Sequence, residues 1–214
     1  MGSLNNGLFG GFNGRIGNLV GYSLNGKHVV RTIGKSNKPP TLPKLVNYQR
    51  MQAVNSFLSP LQYILKIGFR NQVANTNRNA YNEALAYHKK HALTGEYPNI
   101  SLDYPKALLS IGSLIPANKP SILKTRDGIQ FNWDTAEDTF TNPHDRVTVL
   151  VLFPKSQTLK YIFSGAKREK GEQFLPYTSN LEKEHMEAYI LFTSPDGQEI
   201  SNSVHAGSFA EEEK

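Results

Sequence analysis

Hydrophobic residues between residues 41 and 91 recur at intervals of three and four, the spacing of an α-helix with one buried face. The series from Val46 to Phe69 predicts two helices that meet at Pro60, because a proline inside a helical pattern kinks or ends the helix. The first of these helices is expected to begin after Thr41, a residue type that caps helices. A third helix is predicted from about residue 79 to residue 91.

From residue 116 onward the pattern changes to short apolar segments separated by turn-forming residues, which is typical of β-strands. Ile129, Phe131 and Trp133 alternate with polar residues, as in a strand with one buried face. Seven short antiparallel strands and one central tryptophan predict an immunoglobulin- or fibronectin-III-like β-sandwich with Trp133 in its core. The predicted strands are 121–125, 128–134, 146–153, 158–163, 172–176, 186–192 and 198–206.

The first 34 residues hold nine of the 17 glycines, with apolar residues between them. This segment is too apolar for a flexible linker and too rich in glycine for a stable helix. The dipeptide Asn25-Gly26 tolerates the positive φ angles of a type I′ turn. A β-hairpin with strands near 19–24 and 27–33 is therefore predicted, and its edges are available for pairing with this chain or another copy.

These patterns predict an α+β chain with two folded parts. Residues 1–112 form a basic module that combines the glycine-rich hairpin with helices, and residues 113–209 form the β-sandwich. The glutamate-rich residues 210–214 are expected to be disordered. The chain has no cysteine, which excludes disulfides, thiolate nucleophiles and cysteine-based zinc sites. No stretch approaches the ~20 apolar residues of a membrane span and no secretory signal is visible, so a soluble cytoplasmic protein is expected.

Charge is distributed unevenly along the chain. The formal net charge is +6, yet residues 1–82 contain ten basic side chains and no acidic one, and the first acidic residue is Glu83. The part up to Gly112 has 13 basic and 3 acidic residues, and the remainder has 11 basic and 15 acidic residues. This asymmetry predicts an anionic partner for the first half: a nucleic acid, a membrane surface, or the acidic half of another copy.

Two functions from different classes fit this pattern. The first is a non-enzymatic structural, assembly or adaptor protein that binds another protein or its own copies through the basic half, so that an oligomer is one expected form. The second is a sequence-independent nucleic-acid-binding protein, in which cations contact phosphates and interleaved tyrosines stack on bases. The tyrosines are Tyr22, Tyr48, Tyr63 and Tyr81. The candidate contact residues are Arg15, Lys27, Arg31, Lys35, Lys38, Lys44 and Arg50.

Catalytic motifs are weakly represented. The segment 34–36 resembles the end of a phosphate-binding loop, but Val29 stands where the first glycine of that loop belongs. His88 and His91 have the spacing of one helix face and could hold one metal ion, but no third ligand accompanies them, and a solvated helix end is the alternative. Asp134, Glu137 and Asp138 are neighbouring acids in a predicted turn. We therefore expect no enzyme activity, no cofactor, and no catalytic or metal-binding residue.

Five segments in order along the chain resemble one protein family. They resemble the DUF6266 group of uncharacterised proteins from Bacteroidota. The resemblance implies a bacterial host and a two-part layout, and it brings no activity, cofactor or site residue. The segments are 7–22 (GLFGGFNGRIGNLVGY), 26–31 (GKHVVR), 93–104 (LTGEYPNISLDY), 109–114 (LSIGSL) and 201–208 (SNSVHAGS).

Overall fold

The computed structural model of the chain describes residues 2–4, 10–24, 26–35, 37–135, 141–178 and 181–211. It is a mixed chain of α-helices and antiparallel β-sheets. Its contacts divide it into two compact units, residues 1–42 and residues 43–214. The predicted boundary lies at residue 112 instead, and the packing of the second unit explains the difference.

The first unit contains a four-stranded antiparallel sheet. Its strands β3 (Leu19–Leu24) and β4 (Lys27–Thr32) pair from Leu19 opposite Thr32 to Leu24 opposite Lys27. Asn25, the first residue of the predicted turn, lies outside the described residues. In spatial order the strands are β1 (Ser3–Leu4), β2 (Phe12–Ile16), β3 (Leu19–Leu24) and β4 (Lys27–Thr32).

The helices lie close to their predicted positions. A 3-10 turn with Pro60 near its start separates the first two helices, as expected for a residue that lacks a backbone N–H. Asn79 caps the last helix, because its side-chain oxygen accepts a hydrogen bond from the backbone N–H of Tyr81 at 2.9 Å. The helices are α1 (Leu42–Leu58), α2 (Gln62–Gly68), α3 (Arg70–Val73) and α4 (Ala80–His91).

The remaining strands form a small ladder and two larger sheets. The ladder pairs β5 with β6; the larger sheets have the orders β10-β9-β12-β13 and β11-β8-β7, and all pairs are antiparallel. The last predicted strand, 198–206, is displaced to Val204–Phe209, because a turn precedes it. In this turn Ser194 Oγ accepts a hydrogen bond from the backbone N–H of Glu199. The strands are β5 (Leu93–Thr94), β6 (Ser101–Leu102), β7 (Asn118–Lys124), β8 (Gly128–Asp134), β9 (Arg146–Phe153), β10 (Thr158–Ile162), β11 (Glu172–Pro176), β12 (Met186–Thr193) and β13 (Val204–Phe209).

One hydrophobic core lies between the two larger sheets. It contains alternate residues of β8, β9 and β12. Trp133 belongs to this core with 6% of its surface exposed, which confirms the prediction for this residue. Its indole Nε1 donates a hydrogen bond to the carbonyl oxygen of Arg168 at 2.8 Å, and its ring meets Phe192 edge-on. The buried polar atom of the tryptophan is therefore paired.

A second core lies on the other face of the β9 and β12 strands. Leu150, Leu152 and Tyr189 pack there with buried side chains of α1 and α2, including Phe57 and Leu65. β9 and β12 are therefore buried on both faces. The second unit has three layers: the helices, the sheet that contains β9 and β12, and the sheet formed by β7, β8 and β11. Because the helices and the strands share this core, the compact unit begins at residue 43 and not at residue 113.

Candidate functional site

Three of the predicted contact residues lie on one face of the N-terminal sheet. Arg15 stands opposite Val20, and Val20 stands opposite Arg31 on its other side. Cross-strand partners project to the same face, so the two arginines are at the ends of one row. Lys27 precedes Arg31 by four residues in β4 and shares its face, because side chains alternate along a strand. All three cations are exposed, and Arg15 Nε donates a hydrogen bond to the carbonyl of Gly17 at 3.0 Å.

Apolar residues accompany these cations. Tyr22 and Leu24, which are 36% and 54% exposed, share the cationic face. On the opposite face Ile16 and Val30 are 49% and 51% exposed. Among the residues described in this first unit, no hydrophobic side chain is buried. A small sheet gains stability when an apolar face is covered, and both faces of this sheet expose apolar side chains.

None of the other predicted contact residues belongs to this sheet. Lys35 and Lys38 are exposed in the segment after β4. Lys44 and Arg50 belong to α1 and to the second unit, where the ammonium of Lys44 lies 5.7 Å from the centre of the Tyr48 ring. Sequence proximity therefore grouped residues that the fold assigns to two units.

Arg50 is brought together with two cations that the sequence analysis assigned to a helix end. Arg50, Lys89 and Lys90 line a surface depression of about 470 Å³ between α1 and α4. Arg50 and Lys89 are 39 positions apart in the sequence, so the sequence does not show that they line one depression. Only the packing of α1 beside α4 makes these residues neighbours.

The two histidines of the predicted helix end are in different environments. His88 is fully buried, and its Nδ1 hydrogen-bonds to the carbonyl of Ala84 at 2.7 Å. Burial lowers the pKa of His88, and the hydrogen bond to Ala84 partly opposes this. His91 is exposed, with its ring 5.0 Å from that of Tyr87. These two residues therefore do not converge, and in the described part of the chain no group of three or more histidines and acids could hold a metal ion.

A buried carboxylate has two histidine partners, and nothing in the sequence pattern predicted this group. Glu187 of β12 is 3% exposed, and its two carboxylate oxygens accept hydrogen bonds from His185 Nε2 at 2.8 Å and His205 Nε2 at 2.6 Å. We call these three residues the His–Glu–His cluster. The buried charge is therefore hydrogen-bonded on both oxygens, as a buried ion requires.

A β-bulge places His205 in this cluster. Ala188 pairs with Gly207, but the next residue, Tyr189, pairs with His205, so the register shifts by one residue between them. The shift turns His205 to the same face as Tyr189, and their rings meet edge-on at 5.2 Å. Without the bulge, strand alternation would send His205 to the opposite face of the sheet from Glu187.

Two tyrosines surround the His–Glu–His cluster. Tyr189 donates a hydrogen bond from its hydroxyl to the carbonyl of Tyr104 at 3.0 Å. Burial raises the pKa of Tyr189 well above its usual value, and the charge of Glu187 adds to this effect. The cavity of about 220 Å³ beside Tyr104 is lined by other residues and by none of the cluster. The arrangement therefore fastens β12 to β13 and does not open into that cavity.

A second buried ion pair joins Asp145 and Arg168. The guanidinium Nε lies 3.3 Å from the carboxylate, and both side chains are at most 5% exposed. The guanidinium carbon also lies 3.7 Å from the centre of the Phe192 ring. Burial raises the pKa of Asp145, and Arg168 partly offsets this.

Of the predicted acidic turn, Glu137 and Asp138 lie outside the described residues.

These features define a protein with a small cationic sheet followed by a β-sandwich that helices cover on one side. The chain belongs to the family of unknown function DUF6266, whose family model matches residues 11–207. No curated protein and no solved structure shows significant similarity to it. Within the residues that the structure describes, no helix has both the length and the apolar character needed to cross a membrane.

Proposed function

We propose that this chain is a non-enzymatic adaptor or assembly protein that binds an acidic protein segment through the cationic face of its N-terminal sheet. The observation that carries the proposal is that Arg15, Lys27 and Arg31 project from one face of that sheet. The partner segment belongs to another protein or to another copy of the chain. Three cations on one face attract an anionic surface more strongly than three cations pointing in different directions.

Strand addition at β4 is the proposed mechanism. β4 is the last strand in the order β1-β2-β3-β4, so it has a strand neighbour on one side of the sheet. An extended partner segment can pair with such an edge, where backbone hydrogen bonds give affinity and alternate side chains give specificity. Acidic side chains opposite Lys27 or Arg31 stabilise the pairing, whereas a second cationic β4 strand opposes it.

Charge balance favours a separate acidic partner over head-to-tail contact between copies. Residues 43–214 contain 19 basic and 18 acidic side chains, so the second unit is almost neutral as a whole. The acidic character of the C-terminal half is offset by the basic helices in the same compact unit. An acidic segment of another protein therefore offers a stronger attraction than this unit does.

We also propose that the β-sandwich is a framework of the fibronectin-III type. Its first, second and fifth strands form one sheet, and its third, fourth, sixth and seventh strands form the other. This distribution and the central Trp133 support the proposal. The helices on the outer face of β9 and β12 are an addition to such a framework.

Nucleic-acid binding is the second candidate function. Tyr22 lies on the same face as the three cations and is 36% exposed, so a base could stack beside phosphate contacts. Such binding weakens steeply with salt, because counterions are released when phosphates are neutralised. Removal of three phosphate contacts would reduce the salt slope by about 2 to 3.

The test compares two triple alanine variants by fluorescence anisotropy, with an extended glutamate-rich peptide and a single-stranded oligonucleotide as labelled probes. The first variant removes the cations of the sheet face, and the second removes three exposed cations of the second unit. Each lowers the net charge by three, which makes them a matched pair. We expect about tenfold weaker peptide binding for the first variant only. The replaced residues are Arg15, Lys27 and Arg31 in the first variant, and Arg126, Lys155 and Lys183 in the second.

The outcomes separate the two candidate functions. Tighter binding of the oligonucleotide than of the peptide, with a smaller salt slope in the sheet variant, would establish nucleic-acid binding instead. Equal weakening in both variants would mean that net charge, and not the sheet face, determines binding. Binding of neither probe at ~100 μM protein and low salt would refute both candidates.

A further inference from the structure

A cationic depression in the second unit has the properties of a ligand site. Its cationic lining comes from Arg50 on α1 and from Lys89 and Lys90 at the end of α4. Its volume of about 470 Å³ falls in the range of small-molecule sites. Among the described residues that line it, none carries a carboxylate. The three positive charges are therefore not neutralised within the lining.

Hydrogen bonds hold the walls of the depression in place. Lys89 Nζ donates a hydrogen bond to Asn47 Oδ1 on α1 at 3.0 Å, which directs this ammonium towards the first helix. The side-chain amide of Gln49 on α1 donates to the carbonyl of Pro98 in the loop between β5 and β6. That loop supplies Gly95 to the lining, with a φ of +78° that a glycine adopts without strain. The depression is therefore formed before any ligand arrives, which lowers the entropic cost of binding.

Helix capping alone does not explain this group of cations. Lys89 and Lys90 lie in the last turn of α4, where positive charge complements the helix dipole. Arg50 lies in the middle of α1, which runs from Leu42 to Leu58, so it stabilises no helix end. Arg50 lines the same depression as two further cations, and an anion bound there would be attracted by all three charges.

The lining selects the chemical class of the ligand. Besides the cations it contains three apolar side chains, Ala86, Leu93 and Ile100. A guanidinium can donate two parallel hydrogen bonds to a phosphate, and ammonium groups add point charges. We propose that this depression binds a small organic phosphate, with the phosphate group at Arg50 and Lys90 and an organic body against the apolar side chains.

Isothermal titration calorimetry of the full chain tests the proposal, with adenosine monophosphate, inorganic phosphate and adenosine as probes. We expect adenosine monophosphate to bind more tightly than inorganic phosphate, and adenosine not to bind. Arg50→Gln and Lys90→Gln should each weaken binding of adenosine monophosphate about tenfold or more. Lys66→Gln is the control, because Lys66 lines a different depression of about 490 Å³ and its replacement removes the same charge. It should change the affinity less than twofold.

Several results would overturn the proposal. Absence of heat with millimolar adenosine monophosphate would do so, as would equal binding of adenosine, which carries no phosphate. Weakening by Lys66→Gln equal to that by Arg50→Gln would show that only net charge matters. Circular dichroism spectra of the variants identify any that fail to fold, and Lys90→Gln on an exposed helix end serves as the second independent variant. The alanine variant of the sheet face should bind adenosine monophosphate normally, so failure here is distinct from failure of the proposed function.

Discussion

Replacement of Glu187 by glutamine tests whether the His–Glu–His cluster fastens β12 to β13. The Glu187 side chain is 4% exposed, and its carboxylate accepts hydrogen bonds from His185 at 2.8 Å and His205 at 2.6 Å. Glutamine has the same shape, but one carboxylate oxygen becomes an amide NH₂ that donates hydrogen bonds and accepts none. One of the two histidines then loses its acceptor or must change its tautomer.

The expected loss of stability follows from burial and charge. A hydrogen bond to a charged group contributes about 1.5–3 kcal/mol, and a buried donor left without its acceptor costs about 1–3 kcal/mol. Because glutamine keeps one acceptor, we expect Glu187→Gln to lower the free energy of unfolding by about 3 kcal/mol. For a unit of this size that corresponds to a decrease in Tm of about 6–12 °C.

Thermal and urea denaturation at pH 7 measure this loss, and Glu211→Gln provides the control. Glu211 also contacts a cation at 2.6 Å, the ammonium of Lys155, but its side chain is 50% exposed. Water screens such a pair, so the control should leave Tm unchanged. Equal effects of the two substitutions, or an unchanged Tm for Glu187→Gln, would refute the argument from burial.

Three further predictions concern buried groups. Burial lowers the pKa of His88, so the unfolded chain takes up a proton below about pH 6.5 that the folded chain does not bind, and stability falls as pH decreases through that value. His88→Leu should flatten the dependence of the urea midpoint on pH between 7 and 5. Gly68→Ala should lower the free energy of unfolding by about 1–3 kcal/mol in urea titrations, because its Cβ would collide with the carbonyl oxygen of Leu109. Arg168→Met should cost about 3–5 kcal/mol at pH 7 in the same assay, because it leaves Asp145 buried without its counter-charge.

Each of these predictions has a contrary outcome. Parallel pH profiles for the wild type and His88→Leu would mean that His88 does not cause the loss of stability in acid. Gly34→Ala is the control for Gly68→Ala, because among the described residues beyond its two chain neighbours no atom lies within 4 Å of a Cβ at residue 34. Equal effects at the two glycines would exclude the collision as the cause. A stable Arg168→Met variant would show that Asp145 is neutral or solvated in the folded state.

Local spacing in the sequence was sufficient to predict most of the helices and strands. The helical periodicity located α1, α2 and α4, and Pro60 located the break after Leu58. The strands from β8 to β12 lie within one residue of their predicted bounds. These features depend on near neighbours in the chain, which a sequence displays directly.

The covering of the sheet by helices was not predicted, although the sequence contains an indication of it. Residues 147–153 and 188–192 are almost continuously apolar and do not alternate as a strand with one solvent face would. Both strands are buried on two sides, and α1 and α2 supply the second cover. The prediction assumed that all strands alternate as residues 129–133 do, but β9 and β12 do not alternate.

The functional groups depend on long-range geometry that the sequence does not display. The contact between His205 and Glu187 requires a one-residue register shift between two strands. Arg50 and Lys90 line one depression because the two helices that carry them pack side by side. The common face of Lys27 and Arg31 follows from alternation within the predicted strand 27–33, whereas Arg15 joins that face through the pairing of β2 with β3, which was not predicted.

The double covering of β9 and β12 has a practical consequence for protein production. A recombinant fragment of residues 113–209 would expose Leu150, Leu152 and Tyr189 to water as part of a large hydrophobic surface. Such a fragment should precipitate or require detergent. A fragment that starts at Pro43 retains the helices that cover this surface and should remain in solution.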